Sequence, residues 1–100
     1  MPLNSKYNKK INNESFKNEI NRLTNQIWKL IPMRENEENW NKHLQIVILE
    51  LVGLEEIIEI DENLLALLEI LEGLNTVEID FSIFRKLVFE SISLLRKLVP

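Results

Sequence analysis

The longest regular pattern of apolar residues runs from Trp40 to Ile60. Its main stripe proceeds at alternating steps of four and three residues: Trp40, Leu44, Val47, Leu51, Leu54 and Ile58. This spacing puts the side chains on one side of an α-helix, which we expect to face a core. A second set widens the stripe and predicts burial along much of the helix. It comprises Ile46, Ile48, Leu49, Val52, Ile57 and Ile60.

Three further stretches show the same helical spacing. The pattern therefore predicts an all-α protein, a small bundle of about four helices over residues 14–31, 37–59, 62–72 and 80–98. Short connections between them predict that consecutive helices are antiparallel neighbours. The first stripe lasts for only about two heptads, which favours packing within the domain over a coiled coil.

Individual residues mark the expected ends of these helices. Pro32 is expected to end the first helix, because its ring keeps the preceding residue out of the helical conformation. Asn36, Asp61 and Asp80 are the expected N-caps of the following three helices, since their side chains accept hydrogen bonds from the first turn. Gly73 is expected to end the third helix in a left-handed conformation.

Gly53 allows two interpretations. It either lies inside the second helix, at a cost of about 1 kcal/mol relative to Ala, or ends that helix at Val52. The apolar stripe continues in phase beyond Gly53, which favours a continuous or slightly kinked helix. Close approach of another helix over Gly53 would explain why no side chain stands there.

Composition narrows the class of protein. Residues 1–12 are polar and basic and are predicted to be a flexible tail, followed by a single helical domain over 13–100. The absence of Cys excludes disulfides and thiolate metal sites. No stretch reaches the roughly 18–20 apolar residues of a membrane span, and the N-terminal stretch lacks the apolar core of a signal peptide. We therefore expect a cytoplasmic protein.

Charge is segregated along the chain. Residues 1–34 carry a net charge of +5, whereas residues 50–80 hold ten acidic residues and no Lys or Arg. These segments either pair within the fold or lie on different faces, where they would steer copies of the chain or a basic partner. The sequence leaves both interpretations open.

Candidate chemistry is sparse. His43, the only histidine, has no carboxylate three or four residues away, so we expect a structural or solvent-facing role. The acidic pairs, such as Glu55 with Glu59, lack the Glu-x-x-His motifs of a di-iron bundle. The two glycines are twenty residues apart, which excludes a Gly-rich phosphate loop. We expect no catalytic residue, metal or cofactor, and a protein that is not an enzyme.

The predicted function is association with another protein, as a homo-oligomer or as a small subunit of a larger assembly. Aromatic and Met side chains near the first turn and the acidic end of the second helix form the candidate interface. Its residues are Trp28, Met33, Trp40, Glu55, Glu56 and Glu59. Alternatively, both Trp side chains close the core.

Contact with nucleic acid is the alternative function. The basic N-terminal face would follow a phosphate backbone. It consists of Lys9, Lys10, Lys17, Arg22, Lys29 and Arg34. The pI of about 5.0 and the acidic middle of the chain weigh against this alternative. The sequence identifies neither the partner nor the oligomeric state.

Overall fold

The computed structural model describes residues 13–58, 61–75 and 79–99. It contains α1 (Asn13–Trp28), α2 (Leu30–Glu35), α3 (Trp40–Glu55), α4 (Glu62–Gly73) and α5 (Phe81–Arg96). The predicted all-α bundle is confirmed, because the four longer helices correspond to the four predicted ones. The predicted tail at residues 1–12 lies outside the described residues. Within those residues, no helix has both the length and the apolar character required to cross a bilayer.

The four longer helices pack in a ring in which each has two neighbours. α1 packs against α3 and α5, and α4 packs against the same two helices. α1 therefore lies diagonally opposite α4, and α3 diagonally opposite α5. Two hydrogen bonds indicate that α3 is antiparallel to α1 and to α4. His43 near the start of α3 bonds Gln26 near the end of α1, and Asn41 of α3 bonds Asn75 just beyond α4.

The core consists of one cluster of apolar side chains from all five helices. The members that are completely shielded from solvent include Phe16, Leu23, Ile27, Leu30, Leu44, Leu51, Leu67, Leu71, Phe84, Val88 and Leu95. Two buried hydroxyl groups are satisfied within their own helices. Thr24 donates to the carbonyl of Ile20, and Ser91 donates to that of Leu87. Neither hydroxyl is left as an unpaired polar group in the core.

Pro32 interrupts the first helix three residues earlier than predicted. α1 ends at Trp28, and Pro32 lies in the first turn of α2. A proline ring collides with the carbonyl group four residues before it, here that of Trp28, and has no N–H to bond it. The helical conformation resumes at Leu30, because the N–H groups of a first turn need no helical acceptor.

The predicted N-cap at Asn36 is wrong, because Asn36 ends α2 as its C-cap. The next residue, Glu37, has a positive φ of 58°. The Glu38 N–H donates to the carbonyl of Met33 at 2.8 Å, and the Glu37 N–H to that of Arg34 at 3.1 Å. This pattern is a Schellman motif, with Glu37 at the position that usually holds Gly.

α3 consequently begins at Trp40 rather than at residue 37. Its N-cap is Asn39, whose side-chain oxygen accepts a hydrogen bond from the Lys42 N–H at 3.3 Å. The predicted caps of the next two helices are confirmed. Asp61 accepts from the Asn63 N–H at 2.7 Å, and Asp80 caps α5.

Ser82 forms two hydrogen bonds with the Asp80 carboxylate. Its hydroxyl and its N–H both donate to Asp80 Oδ2, the latter at 3.2 Å. These two bonds lower the pKa of the Asp80 carboxyl group, because they favour its ionised form. The charge then lies at the positive end of the α5 dipole.

Both internal glycines are helical. Gly53 lies within α3, which continues to Glu55, so it does not break the helix. A Cβ atom added at Gly53 would meet nothing within 4 Å among the described residues. The expectation that another helix of the chain lies over Gly53 is therefore wrong. Gly73 is the last residue of α4 and has no positive φ, so it is not the left-handed residue predicted after the helix.

Candidate association surface

The outer face of α3 carries a row of exposed apolar side chains, which we call the α3 row: Ile46, Leu49 and Val52. Leu49 is 69% exposed, Ile46 48% and Val52 42%. Residues three apart lie on adjoining turns of one side of a helix. The buried residues of the same helix, such as Leu44 and Leu51, lie on the opposite side.

The sequence predicted that this row would be buried, and that prediction is wrong. α3 packs against α1, α2 and α4, and these neighbours cover only the side that faces the core. Of the other residues expected to widen the stripe, Ile48 is buried and Ile57 is half-buried. Ile60 lies outside the described residues. α4 shows the same effect at Leu65, which is 48% exposed although its helix is apolar nearly all round.

Four exposed residues flank the α3 row at regular distances. Gln45 and Gly53 each lie four residues from Leu49, and Lys42 and Glu56 each lie seven residues from it. All four are exposed. Seven residues are about two helical turns, or roughly 10 Å along the axis. The outer face of α3 is therefore an apolar centre with a cation on one side and a carboxylate on the other.

The two tryptophans of the candidate interface are engaged within the chain. Trp28 lies edge-on to Phe89 of α5, with ring centroids 5.0 Å apart and an interplanar angle of 74°. Trp40 lies edge-on to Phe84 at 5.0 Å and 75°. Both are half-buried against the core. These contacts agree with the alternative in which the Trp side chains close the core.

The remaining interface candidates lie in different environments. Met33 in α2 is half-buried. Glu55 and Glu56 are exposed at the C-terminal end of α3, and Glu59 is outside the described residues. Glu55 and Glu56 border the α3 row, three and four residues after Val52, whereas Trp28 and Trp40 lie against α5. The candidate interface is therefore not one continuous surface in the described part of the chain.

Arg34 is the centre of an aromatic group that we call the Arg34 cluster: Arg34, Trp40, Phe81 and Phe84. Its guanidinium carbon is 4.5 Å from the ring centroid of Phe84, 5.6 Å from that of Trp40 and 5.9 Å from that of Phe81. Nη2 donates a hydrogen bond to the carbonyl of Ile79. Nη1 is shielded from solvent and has no hydrogen-bond partner among the described residues. The cluster joins α2, α3 and α5 through cation–π contacts.

Arg22 is held by two carboxylates. Its Nη2 lies 2.9 Å from Oε2 of Glu50 in α3, and its Nε is 3.2 Å from Oε2 of Glu19 in the preceding turn. The hydrogen bonds that the guanidinium donates to Glu19 and, with a smaller effect, to Glu50 raise its pKa, so it stays charged. The ion pair links α1 to the first residue of the acidic segment.

The candidate basic face is thus divided. Lys17 and Lys29 are exposed on α1 and in the turn after it, while Arg22 is ion-paired and Arg34 is stacked on aromatic rings. Lys9 and Lys10 lie outside the described residues. In the acidic segment, Glu50 forms an ion pair within the fold, whereas the other described Glu residues are exposed. In residues 13–58, 61–75 and 79–99, the ion pairs are those of Arg22 with Glu19 and Glu50.

His43 has a structural contact. Its Nε2 lies 2.7 Å from the carbonyl oxygen of Gln26. That oxygen can only accept, so Nε2 carries the hydrogen and donates it to a carbonyl in the last turn of α1, where the helix leaves acceptors free. Among the residues that the structure describes, no three or more His, Cys, Asp or Glu side chains come close enough to hold a metal ion.

The α3 row was not predicted from the sequence as an exposed surface, although the spacing of its residues indicates one. Ile46, Leu49 and Val52 lie off the main stripe at a regular spacing of three, which describes a second apolar face as well as a wide first one. Only the positions of the neighbouring helices distinguish the two. Comparison of the chain with protein-family models, with curated proteins and with solved structures finds no match.

Proposed function

We propose that this protein is a non-enzymatic association module that works by self-association through the outer face of α3. The observation that carries the proposal is the exposure of Leu49, 69%, at the centre of a row whose other members are also exposed. An apolar side chain in water gains about 25 cal/mol for each Å² that another surface covers. Contiguous exposed apolar residues with polar flanks are typical of protein–protein contact sites.

The charge of the chain supports the same proposal. The described Glu residues beyond Glu50 are exposed, and basic residues are exposed on α1 and α5. Opposite charges on different sides of a molecule steer copies towards each other at low ionic strength. Burial of the α3 row would then hold the copies together.

Contact with nucleic acid has less support. A backbone-binding face needs several free cations in a line. Arg22 is neutralised by Glu19 and Glu50, and Arg34 is stacked within its aromatic cluster. Lys17 and Lys29 remain as the exposed members of that face among the described residues.

Sedimentation equilibrium of the purified chain over a wide range of concentration tests the proposal. The mass of the wild type should rise from 11.9 kDa towards at least twice that value. Leu49→Glu should keep the chain monomeric, because it puts a charge at the centre of the apolar row. Ile83→Glu is the matched control, because Ile83 is 53% exposed on α5, diagonally opposite α3. This variant should associate like the wild type.

Circular dichroism and urea unfolding verify that each variant is folded. A wild type that stays monomeric at every concentration would overturn self-association. Association of Leu49→Glu at the wild-type strength would exclude the α3 row as its site.

A further inference from the structure

The arrangement of residues on α3 points to the identity and orientation of the occupant: we infer that a second copy of this chain binds there, with the two α3 helices antiparallel and a twofold axis at Leu49. The inference rests on the proposed function and specifies its geometry. In such a pair, the positions that meet have numbers that are symmetric about residue 49. A surface that pairs with itself must therefore be complementary at equal distances on both sides of Leu49.

The α3 row meets this requirement at its centre. Leu49 lies opposite the partner copy's Leu49, and Ile46, three residues before it, lies opposite Val52, three residues after it. All three side chains are exposed and apolar, so every contact in the middle of the pair joins apolar groups. Mutual burial removes all of them from water.

At the two ends of the row, opposite charges supply the required complementarity. Lys42 lies seven residues before Leu49 and Glu56 seven residues after it, and both are exposed. In an antiparallel pair each lysine faces the other copy's glutamate, which gives two equivalent ion pairs. A parallel arrangement would place Lys42 against Lys42 and Glu56 against Glu56, so like charges disfavour it.

Gly53 supplies the room for close approach. It lies opposite Gln45 in the proposed pair, since both are four residues from Leu49. A Cβ atom there would meet nothing within 4 Å among the described residues, so no packing within that part of the chain accounts for a glycine inside the helix. A helix of a second copy accounts for it, because small residues let two helices approach closely.

The proposed contact is small. One helix pair of this length buries on the order of 1,000 Å², which is typical of weak or transient complexes. We therefore expect dissociation constants in the micromolar range or weaker, and a dimer that forms only at high protein concentration.

Exchange of the flanking charges tests the orientation. Lys42→Glu and Glu56→Lys should each weaken self-association about tenfold, because each puts like charges together at two symmetric places. An equimolar mixture of the two variants should recover the wild-type strength, since every facing pair then joins opposite charges. Lys86→Glu and Glu90→Lys are exposed α5 controls with the same changes in charge and should associate like the wild type.

A disulfide tests the position of the axis. The chain has no Cys, so Leu49→Cys introduces a single thiol, which should form a covalent dimer on oxidation because residue 49 meets its own copy. Ile83→Cys should give little dimer at the same protein concentration.

The outcomes separate the two proposals. Association that depends on Leu49, without recovery in the mixture and without the disulfide at residue 49, would overturn the antiparallel pair and leave self-association standing. A wild type that is monomeric throughout would overturn both.

Discussion

Phe89 on α5 and Leu49 on α3 are both apolar residues off the core stripe of their helices, yet their surroundings differ. Phe89 is 42% exposed, with Trp28 edge-on at 5.0 Å and the Arg85 guanidinium 5.3 Å from its ring centroid. Leu49 is 69% exposed. The first residue is covered in part by its own chain, whereas most of the second remains in water.

The positions of the two side chains explain the difference. Phe89 lies on the flank of α5 that faces α1, where the long side chain of Trp28 reaches it. Leu49 lies on the side of α3 away from all of its neighbours. An apolar residue off the core stripe therefore indicates a partner surface only when no neighbouring helix flanks it.

Truncation of the two regions should show the largest contrast. Trp28→Ala should lower the free energy of unfolding by about 2–3 kcal/mol, somewhat less than for a fully buried ring. Leu49→Ala should change it by less than about 0.5 kcal/mol, because its side chain is mostly exposed. Urea unfolding of the monomer measures both. Equal losses at the two sites would refute the distinction between a covered and an uncovered side chain.

The next largest contrast in stability should be between the two arginines that lie over phenylalanine rings, Arg34 and Arg85. Arg34→Lys should cost about 1–2 kcal/mol, because the guanidinium stacks on the buried ring of Phe84 and an ammonium group does not replace its planar contacts. Arg85→Lys, over the exposed ring of Phe89, should cost less than about 0.5 kcal/mol. Thermal unfolding of both variants gives the comparison. A larger loss for Arg85→Lys would contradict it.

Replacement of glycine sharpens the contrast between folding and association. Gly53→Ala should raise the free energy of unfolding of the monomer by about 0.5–1 kcal/mol, because alanine favours the helix and nothing obstructs its Cβ. It should also weaken self-association several-fold, since the methyl group fills the space required by the second copy.

Gly73→Ala is the matched control, because Gly73 is also helical and open. It should add stability without a change in self-association. Unfolding and sedimentation experiments on both variants decide the matter. Equal effects of the two substitutions on association would show that Gly53 is not part of the contact.

Loss of the Arg22 ion pair should have the smallest effect. The side chains of Arg22 and Glu50 are 45% and 35% exposed, so solvent screens their attraction. Arg22→Gln should cost less than about 0.5 kcal/mol of stability, and added salt should reduce that difference. Loss of self-association as complete as in Leu49→Glu would mean that this ion pair, rather than the α3 row, controls the contact.

Sequence spacing predicted the parts of the fold that depend on local rules. The main stripe of α3 and the caps at Asp61 and Asp80 follow from helical periodicity and from the hydrogen bonds that a short carboxylate makes. The end of α2 did not follow, because Asn36 and Asn39 are equally good N-cap residues and the left-handed residue between them is a glutamate. Local preference does not distinguish such alternatives.

The candidate surface was harder to predict because it depends on tertiary contacts. The pattern that marks Leu51 and Leu54 as buried also permits burial of Ile46 and Leu49. Which side of α3 stays in water depends on the positions of α1, α2 and α4. Likewise, the sequence suggested that Arg34 is a surface cation, because only the fold shows that Phe81 and Phe84 lie against it.

The antiparallel order of the helices has a consequence for anything joined to this domain. Asn13 and Val99 line the same surface depression, and the C-terminal end of α3 lies at that end of the bundle, which is 42 Å long. In the proposed pair the two α3 helices run in opposite directions, so the chain ends of one copy and those of the other lie at opposite ends of the dimer. Any segments attached to the two copies would then be held apart.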